Sequence, residues 1–94
     1  MTTIFNPPHP GGILAEQLEY LGISARDFAH RLRVTSTSLN RILEEKVPIT
    51  TEMALRISEA LPGPKAPTWL LLQSDYDAWQ AKKREGVIQI SKDL

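Results

Sequence analysis

Apolar residues recur every three or four positions along most of this chain, and the breaks between those runs divide it into five predicted helices. The first runs from about Gly12 to Leu21, with Ile13, Leu14, Leu18 and Leu21 at helical spacing and Gly22 as its stop. Ser24 opens a second, from about Ala25 to Leu32, with Asp27 completing a capping box and Ile23 and Phe28 placed as a hydrophobic staple. It buries Phe28, Ala29 and Leu32. Thr35 caps a third helix, whose inner face is Leu39, Ile42 and Leu43 and which Val47 and Pro48 end. Thr50 caps a fourth, with Ala54, Leu55, Ile57, Ser58 and Leu61 on or near its buried side. The breaker PGPKAP, residues 62–67, separates it from a fifth, from Pro67 or Thr68 to Arg84, that carries Trp69, Leu72, Tyr76 and Trp79 on one face.

What lies outside this pattern sets the domain plan. Prolines 7, 8 and 10 keep an arm of residues 1–10 extended, with Pro10 just before the first helix, and residues 11–85 form one all-α domain. Gly86 is the expected terminator of the fifth helix. The tail, residues 86–94, contains VIQI, which suits a short strand or an extended arm. Ninety-four residues, 41% of them hydrophobic, are enough for one core. The N-terminus lacks the basic start and apolar run of a secretory signal, and the longest apolar run, Trp69–Leu72, is far short of a membrane span, so a cytoplasmic location is expected.

Cysteine is absent, which removes disulfides, thiolate catalysis and thiolate zinc sites. His9 and His30 have no companion ligands at metal spacing, and Gly11-Gly12 lacks the spacing of a phosphate loop. His9 is expected to position the proline-rich entry, and His30 to face solvent. No convergent set of titratable groups suggests acid–base or nucleophilic chemistry, so neither an enzyme nor a cofactor is expected.

Charge changes the picture only locally. Eleven basic and eleven acidic residues cancel over the whole chain. Residues 1–23 carry Glu16 and Glu19 and no Lys or Arg, whereas residues 24–46 hold five cations against three carboxylates. Lys82, Lys83 and Arg84 suit the end of a helix for local reasons and also suit phosphate.

The positive segment contains the run Thr35-Ser36-Thr37-Ser38, four poor helix formers between two helices. One reading is a solvated cap in a helical bundle. The other rests on the spacing of Ala29, Val34, Leu39 and Ile42: a small residue in one helix, an apolar residue in the turn and two more in the next helix fit the crossing of a helix-turn-helix. There the second helix enters the DNA major groove amino end first. With Leu39, Ile42 and Leu43 inward, Thr37, Asn40, Arg41 and Glu44 face outward. Asn pairs with adenine, Arg with guanine, and a Thr methyl touches thymine's methyl. Thr35 and Ser36 suit phosphate, and Glu44 suits cytosine or rejects wrong sequences.

At this point the chain resembles a known family. SARDFAHRLRVTSTSLNRILEEKVPITTEMALRISEAL resembles the repressor-like, Xre-type helix-turn-helix domain. HPGGIL, PITTEMALRIS and WLLLQSDYD narrow the likeness to the HigA group of bacterial antitoxins, over roughly residues 7–85. The resemblance implies a five-helix domain that forms a homodimer, represses its own operon and neutralises a HigB-type toxin, a ribonuclease that cuts translated messenger RNA. It places the family's DNA-reading positions on Thr35, Ser36, Thr37, Asn40 and Arg41. Three features depart from its pattern: Arg33 stands at the usual turn glycine, Ala25 at a phosphate-anchoring glutamine, and Glu44-Glu45 at a common Asn-Gly pair. The two carboxylates predict modest, strongly salt-sensitive DNA affinity. An interaction module that keeps the shape without the affinity, and a regulator without a toxin, are the alternatives.

Overall fold

Four of the five helices open on a side chain that accepts a backbone N–H, as the spacing predicts for three of them. In the computed structural model, which describes residues 6–85, the helices are α1 (Pro10–Leu21), α2 (Ala25–Leu32), α3 (Ser36–Leu43), α4 (Thr51–Ala60) and α5 (Ala66–Arg84). Ser24 Oγ accepts from Asp27 N–H at 3.0 Å, Thr35 Oγ1 from Ser38 N–H at 3.0 Å and Thr50 Oγ1 from Met53 N–H at 3.2 Å. The fourth cap is His9, whose Nδ1 accepts from Gly11 N–H at 2.8 Å. That bond draws Pro10 into the helix, so α1 begins two residues before the predicted start and the arm ends earlier. α5 likewise begins at Ala66, with Pro67 in its first turn and no side-chain cap.

Three helices end in the same way, with one residue in the left-handed region. Gly22 (φ 72°), Arg33 (φ 62°) and Glu45 (φ 65°) close α1, α2 and the turn after α3. Each is followed by a residue whose N–H returns to a carbonyl five positions back: Ile23 to Leu18 at 2.9 Å, Val34 to Ala29 at 3.0 Å, Lys46 to Arg41 at 2.9 Å. This is the Schellman turn, and only the first of the three has the glycine it favours.

The apolar faces meet in one core of Leu14, Leu18, Phe28, Ala29, Leu32, Leu39, Ile42, Ile49, Ala54, Ile57, Leu61, Ala66 and Trp69. α2 packs on α3, α1 on α3 and α5, and α4 on α2 and α5. Two expectations change. Leu55 is exposed rather than buried. On α5 only Trp69 of the predicted face is fully buried, while Leu72, Tyr76 and Trp79 are half-buried and Leu71 is exposed. The buried place falls instead to Gln73: its amide oxygen accepts from Ile49 N–H at 2.8 Å and its amide donates to Asp77 at 2.9 Å, tying the α3–α4 connection to α5. No helix among the described residues is long and apolar enough to cross a membrane. The expected tail, with VIQI and Gly86, lies outside the described residues.

His9 makes the fold sensitive to pH. Its ring is buried and meets Tyr76 edge-on at 4.7 Å. Burial pushes the imidazole below the usual histidine range, against opposing pulls from the Glu45 and Asp77 carboxylates and the Val47 backbone. A nitrogen that accepts Gly11 N–H must be unprotonated. The unfolded chain therefore takes up a proton at higher pH than the folded one, and stability is complete above about pH 6.5 and falls as the pH drops below it. The urea midpoint should fall between pH 7.5 and pH 5, and by less in His9→Asn, where a neutral side chain takes the cap. Equal falls in both proteins would show that His9 is not the group responsible.

Candidate nucleic-acid interface

α2 and α3 are joined by only three residues, Arg33, Val34 and Thr35. Such a short link works because Ala29, fully buried in α2, lets α3 approach closely, and because Leu39 and Ile42 fill the space below. Arg56 of α4 then fixes the angle. Its Nη1 donates to the Leu32 carbonyl at 2.6 Å, satisfying an end group of α2, and its Nη2 pairs with Glu52 at 2.8 Å. Sequence reasoning missed Arg56. An arginine at this spacing reads as ordinary surface charge, and only the fold reveals the carbonyl it reaches.

Thr35, Ser36, Thr37, Asn40, Arg41 and Glu44 are all exposed on or beside α3, while Leu39 and Ile42 are buried on its other side. Positions 40 and 41 follow 37 by three and four residues, and 44 follows them by four and three, so the four form a single outer stripe. The hydroxyl run divides. Thr35 caps the helix and also donates to Ser38 Oγ at 2.9 Å, so these two hydroxyls are engaged with each other. Among the described residues Ser36 and Thr37 have no side-chain hydrogen bond. Both are exposed in the first turn of a helix whose first amides carry a partial positive charge. Arg41 has no acidic partner among the described residues, whereas Glu44 pairs with Lys46 at 3.2 Å across an exposed gap. That pair is screened and weak, and it leaves Glu45 outside it.

The two acidic residues after α3 are thus a backbone feature as well as a charge feature. Glu45 holds the left-handed position, at the place where the family commonly has the glycine of an Asn-Gly pair, so its departure costs backbone strain as well as charge. Left-handed strain is about 1–2 kcal/mol for a residue with a Cβ. Arg33→Gly should therefore raise stability by about 1 kcal/mol, seen as a melting temperature roughly 4–8 °C higher. Glu45→Gly should gain less, because the Glu45 carboxylate also lies over Gly12, where it faces the positive amino end of α1. Equal gains in the two variants would contradict this account.

Comparison with known proteins agrees with this geometry. The helix-turn-helix family profile matches residues 14–66. The chain is 33% identical over 87 residues to YddM of Escherichia coli, described as an uncharacterized helix-turn-helix-type transcriptional regulator, covering 93% of this chain and 88% of that one. Its fold is similar to that of a HigA-family addiction module antidote protein from Coxiella burnetii, with a TM-score of 0.81, 36% identity and coverage of 96% and 97% of the two chains. It is also similar to Pseudomonas aeruginosa antitoxin HigA, solved with the higBA promoter, with a TM-score of 0.80, 32% identity and coverage of 94% and 95%.

Proposed function

Because the chain belongs to the Xre-type helix-turn-helix family, within its HigA-type antitoxins, we propose that it binds its own operator as a two-fold dimer. In this reading it represses its operon and neutralises a HigB-type ribonuclease toxin in the cytoplasm. The family is one of transcription regulators and antitoxins, not enzymes. The observation that carries the proposal is the uncovered stripe on α3, with the core on the opposite side of the same helix. A dimer would set two such helices about 34 Å apart, matching successive major grooves on one side of a palindromic duplex. Thr37, Asn40 and Arg41 read base edges, Thr35 and Ser36 meet phosphate, and Glu44 rejects wrong sequences. The P. aeruginosa relative solved with its promoter supports this use of the fold.

Two features favour a second reading, an interaction module with little DNA affinity: Glu44 and Glu45 follow α3 directly, and net charge is zero. Titration of the protein against the DNA upstream of its gene and against a scrambled duplex separates the two. The operator reading expects a preference for the upstream DNA that weakens steeply with salt. Equal, weak shifts on both duplexes at low salt would replace it with the module.

A further inference from the structure

The carboxyl half of α1 has a surface that the DNA reading leaves unused. Ile13, Gln17, Tyr20 and Leu21 face Pro62 and Gly63 of the α4–α5 connection across an open groove of about 530 Å³, with Glu16 on its rim. Tyr20 is 88% exposed and Leu21 41%, an unusual place for two large side chains in adjacent positions. Beside Gly63 the Gln17 amide oxygen is shut off from solvent and has no hydrogen-bond partner among the described residues. Glu19 and Tyr20 follow Glu16 by three and four residues, so both neighbour it on the surface of α1. Neither carboxylate pairs with a cation among the described residues.

These features select the occupant. DNA is repelled by the two carboxylates. A second copy docked by a two-fold axis through this patch would set Glu16 and Glu19 against their own mates. A basic protein has neither difficulty: it brings an apolar side chain to lie against Tyr20 and Leu21 and cations to meet Glu16 and Glu19. We propose that the α1 groove is the docking surface for such a basic protein partner. This rests on the antitoxin reading above, under which the partner is the toxin. Toxin and operator then occupy different faces, one on α1 and the other on α3.

The test uses purified full-length chain and the HigB-type toxin from the adjacent gene, with affinity read by titration calorimetry. Glu16→Lys combined with Tyr20→Ala changes two exposed side chains and should leave the melting temperature and the operator gel shift as they are. Toxin binding should weaken at least 100-fold, and the wild-type complex should weaken with added salt more than the variant's. Wild-type binding to toxin that the variant matches would overturn the groove assignment and leave the antitoxin reading standing. A wild-type chain that binds no toxin would bring down both. A variant that changes the oligomeric state in sedimentation would assign the groove to a second copy and overturn the proposal.

Discussion

Gly11→Ala should cost about 3 kcal/mol of stability and lower the melting temperature by roughly 12–24 °C. A Cβ at this position overlaps the Ile42 carbonyl oxygen and comes within 2.9 Å of the Ile42 carbonyl carbon and 3.1 Å of His9 Nδ1. None of these atoms can move away cheaply. The Ile42 carbonyl accepts Glu45 N–H at 2.9 Å in the turn that closes α3, and the His9 ring is buried in its capping position. The strain therefore has to separate α1 from α3, opening the core between Leu14, Leu39 and Ile42. The close approach also brings the positive amino end of α1 to a carbonyl at the negative end of α3, an attraction that separation weakens. Gly12→Ala is the control. Its Cβ meets the carboxylate of Glu45, the far end of a flexible side chain, and should cost less than about 1 kcal/mol. Thermal melts of both variants decide the matter. Similar, small shifts would mean that Gly11 does not set the α1–α3 distance.

The contrast between those two glycines shows where sequence reasoning stops. Helical spacing and caps such as Ser24, Thr35 and Thr50 are local, and they located all five helices to within two residues at each compared start. The outward stripe on α3 follows from the same periodicity, because Leu39 and Ile42 fix which side is buried. What depends on distant residues was not legible. Gly11 looks like part of a flexible entry until Ile42, 31 positions on, is brought against it. Arg56 and Gln73 look like surface residues until the fold places Leu32's carbonyl and Ile49's N–H within their reach. Their polar side chains finish backbone groups that the core would otherwise leave unsatisfied, a demand that appears only once the helices are assembled. The left-handed turn at Arg33 is legible through resemblance, whereas the departure at Glu45 shows in the sequence as a charge and only the fold adds its left-handed turn.

Asn40→Ala and Arg41→Ala separate recognition from attraction, since the two side chains share a face and differ in charge. If each makes a bidentate contact to a base, each loss costs about 1–3 kcal/mol, roughly 5- to 150-fold in operator affinity. The double variant should lose roughly 30-fold or more. The salt dependence then distinguishes them. Arg41 carries a charge that takes part in counterion release, so its removal should flatten the slope of log affinity against log salt by about one and also weaken binding to scrambled DNA. Asn40 is neutral, so its removal should leave the slope and the scrambled duplex unchanged and reduce only the preference for the operator. Both residues are exposed, and neither side chain holds a partner in the fold among the described residues, so melting temperatures should barely move. Gel shifts at three salt concentrations on both duplexes make the measurement. Were Asn40→Ala to weaken operator and scrambled DNA equally, the stripe on α3 would be a site of general phosphate attraction, and sequence reading by this helix would have to be abandoned.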